Sequence, residues 1–433
     1  DMKNQALNHL PYELTLDQKT VLDELKKDFE KDKSMNRLLQ GDVGSGKTIV
    51  AFLSMLDIVE LGYQCALLAP TEILAQQHFE SLSSLSEKLG VRLGLFLGAH
   101  TKSQKNKNAQ NLKNGTIQIA IGTHALFQQG VEFQNLKYII IDEQHRFGVE
   151  QRLNFRDKGH NPHMLMMTAT PIPRTSVMVQ YGDIDLSFLK NKPKNRKAIH
   201  TSVIHASKEQ ELIYGIERIL NKGNQVYWVC PLIEESENLD LANVNDRYES
   251  LKDIFGNKVA LLHGKMKSTQ KDEIVKKFQD NIYKILVTTT VIEVGVNIPN
   301  ATIMIIENAQ RFGLSQLHQL RGRVGRGSDQ SYCILMHNQT KNDSNQRLEI
   351  MRSCDDGFAL SQMDLKLRGR GDILGTQQSG FKSLRFFEEE AHEELVSVAV
   401  KYANILYQHK QQGKIEPLIL LELFKCKKDY RVV

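Results

Sequence analysis

The sequence lacks several features that mark particular classes of protein. No apolar run approaches the roughly 20 residues that a helix needs to cross a bilayer, and residues 1–30 contain no apolar stretch of a secretory signal. No period of about 20 to 50 residues recurs, which excludes solenoids and propellers. The cysteines are scattered without a CxxC pair or a paired metal-ligand spacing: Cys65, Cys230, Cys333, Cys354 and Cys426. We therefore expect a cytoplasmic protein with no membrane partner, no zinc site and no disulfide framework.

The composition that remains is that of a globular protein. The chain has 433 residues, of which 41% are hydrophobic and 25% are charged. Its length is close to three times the roughly 150 residues of a typical domain, so we expect two large domains with some extra structure. The net charge of +5 tolerates a polyanionic partner but does not demonstrate one.

Short apolar runs alternate with helical patterns, as in the run Tyr138–Glu143, which is typical of open α/β sheets with parallel strands. The alternation pauses in a polar, basic stretch and then restarts. This pattern predicts a first α/β domain over 1–188, a linker over 189–197 and a second α/β domain over 198–339. A polar helical pattern predicts an appended module over 340–433.

Residues 41–48 read GDVGSGKT and match the phosphate-binding pattern GxxxxGK[ST] between an apolar segment and an apolar helical run. Glycines let successive N–H groups point at an anion, and the helix N-terminus adds a partial positive charge. Lys47 is predicted to reach the β and γ phosphates of ATP, and Thr48 to ligate magnesium. The alternative is a chance glycine loop. The predicted nucleotide contacts are Gly41, Gly44, Ser45, Gly46, Lys47 and Thr48.

An apolar strand ends in two carboxylates, Asp142 and Glu143. Phosphoryl transfer depends mainly on positioning and charge stabilisation. Asp142 is therefore predicted to hold magnesium, and Glu143 to orient and polarise the attacking water. The alternative is that these acids only end the strand.

Residues 311–327 contain four arginines and no acid. Such a concentration is costly without an anion to face. Arg323 and Arg326 are predicted to reach the γ-phosphate from the second domain, with Gln319 as a further nucleotide contact. The alternative is a solvated basic helix, although the interspersed glycines make a plain helix doubtful.

Four longer motifs carry a resemblance: DEQHRFGVEQR (142–152), TATPIPRT (168–175), TTTVIEVGVNIPNAT (288–302) and RFGLSQLHQLRGRVGRG (311–327). The chain resembles the RecG family of superfamily 2 DNA helicases, with the Mfd family as its close relative, from about residue 10 to residue 380. The resemblance implies two RecA-like domains in tandem with an ATP cleft between them. It also implies a C-terminal helical hairpin followed by a translocation loop.

By resemblance, Tyr12 stacks on adenine and Gln18 hydrogen-bonds its edge, the alternative being an ordinary helix-entry segment. Thr71 is also placed to cap a helix. The alternative for the loop around Arg368 and Gln378 is a surface loop of mixed charge. The residues that the resemblance assigns to DNA binding or coupling are Pro70, Thr71, Thr123, His145, Thr168, Thr170, His263, Thr288, Thr289, Arg368 and Gln378.

Two positions depart from the family pattern. Asn297 stands where relatives usually carry Asp, so a carboxylate contact becomes an amide contact. Arg370 stands where they usually carry Pro, which adds a charge and loosens the backbone.

The resemblance implies an enzyme that uses ATP and magnesium to translocate on double-stranded DNA and to remodel branched DNA, such as stalled forks and Holliday junctions, in recombination and repair. Its expected partner is branched or duplex DNA, its location the bacterial cytoplasm at the nucleoid, and a monomer is favoured. The sequence starts at Asp1 and reaches a motif within twenty residues, so a wedge domain is expected upstream. The alternatives are an Mfd-type transcription-coupled repair translocase and an ATP-dependent nucleic-acid clamp that does not unwind.

Overall fold

The structure is a computed structural model, and its contacts divide the chain into two compact units. The first unit comprises residues 1–171 and 185–367, and the second comprises residues 172–184 and 368–433. Both sheets belong to the first unit. The residues that the structure describes are 1–128, 130–143, 161–169, 184–191, 197–231, 237–289, 298–325, 327, 329–338 and 342–368, with the single positions 395, 398, 399, 402, 405 and 406.

The first sheet has seven described strands, all paired in parallel in the order β3-β4-β2-β5-β6-β1-β7. Its central strands are buried on both faces, which is why they read as continuous apolar runs in the sequence. The strands are β1 (Asn36–Gly41), β2 (Gln64–Leu68), β3 (Leu93–Phe96), β4 (Ile119–Gly122), β5 (Leu136–Ile141), β6 (His163–Thr168) and β7 (Asp185–Leu189).

Helices cover and lead into this sheet. Thr15 begins α2 with a capping box, because its hydroxyl accepts from the Gln18 N–H while the Gln18 side chain accepts from the Thr15 N–H. The described helices are α1 (Met2–His9), α2 (Leu16–Phe29), α3 (Lys47–Glu60), α4 (Glu72–Lys88) and α5 (Lys102–Lys113), with a 3-10 turn at His124–Phe127.

The second sheet has six described strands, again all parallel, in the order β10-β11-β9-β12-β13-β8. Two parallel α/β sheets were predicted, and the structure confirms them. The strands are β8 (His200–His205), β9 (Gln225–Val229), β10 (Val259–Leu262), β11 (Ile285–Thr288), β12 (Ala301–Ile306) and β13 (Tyr332–His337).

The helices of this half follow the same alternation and end in two helices of the predicted appended module. Three 3-10 turns, at Ala206–Lys208, Gly256–Lys258 and Ala309–Arg311, lie among them. The described helices are α6 (Glu209–Leu220), α7 (Glu237–Phe255), α8 (Ser268–Gln279), α9 (Leu314–Arg321), α10 (Asn342–Ser353) and α11 (Gly357–Arg368).

Elements packed around the two sheets contact each other within the first unit. Ile73 of α4 packs against the apolar cluster of the second sheet that contains Leu317. Phe188 of β7 meets Phe358 of α11 edge-on, with ring centroids 5.8 Å apart. Side chains from both halves therefore share apolar contacts at this interface.

A buried ion pair fastens α2 to the strand that leads into the phosphate loop. Arg37 Nε donates to Asp28 Oδ2 at 2.7 Å, and its Nη1 donates to Ser187 Oγ at 2.9 Å. The exposed side chain of Lys31 pairs with the same carboxylate, with its Nζ 2.7 Å from Asp28 Oδ1. Burial alone would raise the pKa of Asp28, but the hydrogen bonds and charges of Arg37 and Lys31 hold that pKa below its ordinary value.

We expect Arg37→Gln to destabilise the fold by about 3–5 kcal/mol, because it leaves the Asp28 carboxylate buried without its main partner. Lys31→Gln is the matched control and should cost less than about 1 kcal/mol, since the ammonium is exposed. The Asp28 contribution is fully present above the unfolded carboxyl pKa of about 3.9 and is lost as pH falls through the lower folded pKa. Urea unfolding at several pH values measures both effects, and equal losses for the two variants would contradict the assignment.

Candidate active site

Most of the predicted residues of the first sheet stand where parallel strands end. The loop 41–48 follows β1, Pro70 and Thr71 follow β2, and Thr123 follows β4. Asp142 follows β5, and Thr168 is the last residue of β6. Because the strands are parallel, these positions gather at one edge of the sheet, where open α/β folds bind their ligands.

The phosphate loop has the backbone shape that its glycines permit. Gly44 and Gly46 adopt φ values of 76° and 87°, in the left-handed region that other residues rarely enter. Lys47 Nζ donates to the carbonyls of Gly41 at 2.7 Å and Asp42 at 3.1 Å, so the ammonium lies inside the loop. Ser45 Oγ is buried without a hydrogen-bond partner among the described residues. The loop therefore presents polar groups to its own concave side.

The structure gives Gln18 a contact with the phosphate loop. Its Nε2 donates to the Ser45 carbonyl at 2.9 Å, and its Oε1 accepts from Thr15 N at 2.9 Å. One amide N–H and one lone pair remain for a purine edge. Tyr12 is half exposed and lines a surface pocket formed by residues 3–23, none of which belongs to the phosphate loop. Gln18 thus supports the phosphate loop directly. Tyr12 lines a pocket that includes no residue of that loop.

Asp142 is buried and hydrogen-bonded on both carboxylate oxygens. Its Oδ2 lies 2.9 Å from His78 Nε2, and its Oδ1 accepts from Glu143 N at 3.0 Å. Burial would raise the pKa of Asp142, but the hydrogen bond from His78 and the charge of Lys47 lower that pKa below its ordinary value. Asp142 therefore stays ionised beside Lys47.

Glu143 has φ of 50°, a strained conformation for a residue with a side chain. Its Oε2 accepts from Ala169 N at 3.4 Å, so the carboxylate reaches the strand that ends in Thr168. Both residues are buried. The candidate water-orienting carboxylate is in this way linked to the motif that the resemblance assigns to coupling.

A hydrogen bond joins the phosphate loop to α9 of the second half. His318 Nε2 of α9 lies 2.7 Å from Asp42 Oδ1, and both side chains are buried. Arg321 Nη2 lies 3.1 Å from His318 Nδ1. Since a guanidinium only donates, Nδ1 accepts and the proton of the imidazole sits on Nε2, which donates to Asp42.

Arg321, one of the four arginines of residues 311–327, is fully engaged with protein atoms. Its guanidinium donates to the carbonyls of Met351 at 2.9 Å and Cys354 at 3.0 Å, and it pairs with Asp355 at 3.2 Å. These acceptors lie at and after the end of α10. Arg321 therefore holds α9 against the appended helices rather than facing a nucleotide.

The other end of α9 is capped from a distance. Asp364 Oδ1 of α11 accepts from Leu314 N at 3.1 Å, and its Oδ2 accepts from Ser315 Oγ at 2.9 Å. A carboxylate at a helix N-terminus satisfies free N–H groups and complements the helix dipole. The helix that carries His318 is thus fixed at one end by the end of α10 and the residues after it, and at the other end by α11.

The predicted residues of the second sheet also follow strand ends. His263 follows β10 and has a buried Nδ1 with no hydrogen-bond partner among the described residues. Thr288 ends β11 and donates to the Thr289 carbonyl at 2.9 Å, and Thr289 Oγ1 is buried without a described partner. Arg323 is buried just after α9, and Gln319 is half-buried within it.

Some predicted residues lie outside what the structure describes. Arg368 is the last residue of α11, but its side chain is not among those described. The other predicted residues outside the described part are His145, Thr170, Arg326 and Gln378, and so are the two departures from the family pattern, Asn297 and Arg370.

The motifs did not single out four of the residues that build this site: Asp42, His78, His318 and Asp364. Asp42 and His318 lie inside the quoted motifs, yet nothing in either motif shows that they meet. His78 lies on the buried face of α4, and its spacing along that face is only a weak indication that it takes part in the site. Asp364 carried no signal in the sequence.

The donor set suits a magnesium ion that is held mainly by a nucleotide. Asp142 could supply an ionised oxygen ligand, and the Thr48 hydroxyl at the start of α3 could supply a second protein donor. Among the described residues no group of three or more His, Cys, Asp or Glu side chains could hold a metal. Magnesium commonly binds through one or two protein oxygens together with phosphates, so the residues fit this mode.

Three family models match successive parts of the chain. The DEAD/DEAH box helicase model matches residues 15–179, and the helicase conserved C-terminal domain model matches residues 207–328. The model described as ATP-dependent DNA helicase RecG, domain 3, C-terminal, matches residues 354–429. The chain belongs to the RecG family of helicases. Its two parallel sheets are accordingly the tandem RecA-like domains of that family.

Individual RecG proteins agree with this assignment. The RecG helicase of Streptococcus pneumoniae is 52% identical over 373 residues, covering 86% of this chain and 55% of the relative. That of Bacillus subtilis is 49% identical over 381 residues, covering 88% of this chain and 56% of the relative. The chain thus spans about half the length of these curated relatives.

A solved structure of RecG bound to a three-way DNA junction is also similar. It superposes with a TM-score of 0.76 at 38% identity, covering 91% of this chain and 51% of that one. None of the described helices is long and apolar enough to span a membrane.

We expect Asp42→Ala and His318→Ala to weaken ATP hydrolysis and thermal stability in a strongly coupled way. Hydrogen bonds to charged groups are worth about 1.5–3 kcal/mol, so the double variant should lose that much less than the sum of the single variants. Asp42→Asn keeps an acceptor oxygen and is the control that should retain most function. A double-mutant cycle measured on kcat/KM and on unfolding tests this, and additive losses would count against the bond.

Proposed function

We propose that this chain is the ATP-hydrolysing motor of a RecG-type DNA translocase that remodels branched DNA. Family membership supports ATP-dependent helicase activity, and the similar RecG structure bound to a three-way junction supports a branched substrate. The observation that carries the proposal is the Asp42–His318 hydrogen bond of 2.7 Å. It joins the phosphate loop of the first domain to α9 of the second, so a nucleotide in the loop lies where it can affect both.

We propose the following roles for the nucleotide residues. Lys47 neutralises the β and γ phosphates, Glu143 orients the attacking water, and Arg323 and Arg326 offset charge on the γ-phosphate from the second domain. Magnesium, held by Thr48 and Asp142, supplies charge neutralisation between the phosphates when it is bound. Tyr12, Gln18 and Gln319 complete the nucleotide contacts.

We propose that the remaining predicted residues hold DNA or couple it to the cleft. Hydroxyls and N–H groups at strand ends suit phosphate contacts, which position a duplex without reading its sequence. The buried Thr123, His263 and Thr289 atoms, which have no hydrogen-bond partner within the described part of the chain, support this view, because each can accept or donate a bond if the strand ends move. Arg368 and Gln378 are assigned to translocation rather than chemistry, in the module 340–433 that follows domains 1–188 and 198–339.

We expect Glu143→Gln to bind ATP but not turn it over, because the amide keeps the shape of the side chain while losing the charge that polarises water. Lys47→Ala should instead lose nucleotide affinity, since the ammonium inside the loop is removed. Equilibrium binding of a fluorescent ATP analogue and phosphate release separate the two effects. Wild-type turnover by Glu143→Gln would remove Glu143 from the catalytic role.

ATPase stimulation by different nucleic acids tests the substrate class. A three-way DNA junction and plain duplex DNA should stimulate phosphate release, and single-stranded RNA should not. Glu143→Gln on the same nucleic acids is the control for contaminating ATPases. Strong stimulation by RNA with none by duplex DNA would overturn the proposed function.

A further inference from the structure

Residues 88–131 form a stretch of 44 residues with six basic side chains and no acid. The 87 residues before it carry fourteen acidic and eight basic side chains. The stretch therefore carries more positive charge than the net +5 of the whole chain. All six cations are exposed: Lys88, Arg92, Lys102, Lys105, Lys107 and Lys113.

All six cations lie near β3, the outermost strand of the first sheet, and the fold divides them into two groups. The first group, called the amino-edge cations, lies where the strands begin: Lys88 ends α4, Arg92 precedes β3 and Lys113 ends α5. The carboxyl-edge lysines are Lys102, Lys105 and Lys107, in the first two turns of α5, where the strands end. That is the edge that carries the phosphate loop and Asp142.

The carboxyl-edge lysines do not serve the stability of α5. Cations in the first turn of a helix oppose its dipole, and like charges three residues apart repel. No acid lies within this stretch to pair with them along the helix. Lys113 differs, since it pairs with Glu132 at 2.7 Å. Lys102 and Lys105 are unfavourably placed for these reasons, and Lys107 adds a third ammonium group to the same edge, so the cluster suits an anion from outside the chain.

The loop before α5 is tied to a predicted phosphate contact. Ala99 N donates to Glu72 Oε1 at 3.1 Å, and Glu72 follows Thr71 at the start of α4. Lys105 Nζ donates to the Gly98 carbonyl at 2.6 Å, which holds its ammonium over this loop. Asn108 Nδ2 donates to the Leu95 carbonyl at 2.8 Å and fixes α5 to β3. These hydrogen bonds fix the start of α5, with its lysines, beside the strand ends where Thr71 lies.

We propose that the carboxyl-edge lysines bind the phosphate backbone of duplex DNA, extending the DNA contact of the first domain outward along α5. This inference rests on the proposed DNA-motor function and adds a surface that its motifs do not include. Evenly spaced phosphates match a row of flexible ammonium groups, which neutralise charge without reading sequence. The contact is therefore expected to be strongly dependent on salt and independent of base sequence.

The test uses the 433-residue chain and a fluorescein-labelled plain duplex, with affinity measured by anisotropy at several salt concentrations. Each phosphate contact contributes about −0.9 to the slope of log affinity against log salt. K102Q/K105Q/K107Q should flatten the slope by about 2 to 3. The matched control K88Q/R92Q/K113Q removes the same charge from the same outer edge of the sheet and should flatten it by less than about 1. Unstimulated ATPase should be unchanged in both.

Three outcomes would overturn the inference. Equal flattening by both triple variants shows a general effect of net charge, and an unchanged slope in K102Q/K105Q/K107Q shows that α5 does not touch DNA. Loss of binding to polyglutamate with an unchanged DNA slope shows a site for acidic polypeptides. Failure of the proposed function is distinguishable, because then the wild-type chain itself neither binds the duplex nor hydrolyses ATP faster in its presence.

Discussion

The hydrogen bond between Asp42 and His318 is the contact on which the arrangement of the site depends. The carboxylate belongs to the phosphate loop, and the imidazole belongs to α9 beyond the second sheet. Arg321 fixes the imidazole tautomer, so the bond has a defined direction. Because Arg321 and Asp364 also hold α9 to α10 and α11, the phosphate loop and these three helices form one continuous set of contacts. A change in the loop that moves α9 is therefore expected to displace α10 and α11 as well.

The parts of the structure that sequence could predict are those set by local patterns. Strand β5 is a continuous apolar run because both of its faces are buried. Such a run can be identified from the sequence without knowing which strands lie beside it. The loop 41–48 requires glycine at positions 44 and 46 because both adopt positive φ, so the glycine pattern of the sequence predicts the shape of the loop. The positions of Asp142 and Thr168 follow from the rule that parallel strands end at one edge.

The parts that sequence could not predict depend on residues far apart in the chain. Asp42 and His318 are separated by 276 residues, and neither residue type requires the other. Helix α9 begins at Gly313–Leu314, where the Gln316 side chain accepts from Gly313 N at 3.3 Å, and the Leu314 N–H is capped by Asp364, about fifty residues later. Arg321 is one of the four arginines whose concentration in the sequence suggests an external anion, whereas backbone carbonyls satisfy it. A charge count cannot distinguish an arginine bound to carbonyls from one that awaits an anion.

The same reasoning explains why net charge is a poor guide to the partner of this chain. A value of +5 over 433 residues is unremarkable, yet it conceals an acidic first segment (net −6) and an acid-free basic stretch (+6) that cancel each other. Cations at exposed, dipole-opposed positions such as Lys102 weaken the fold slightly, whereas Arg37 and Arg321 are buried and stabilised by acceptors. Electrostatic recognition of a polyanion is favoured by the first kind, because exposed cations reach a phosphate without breaking buried internal contacts. The location of unfavourable charge is therefore more informative than its total.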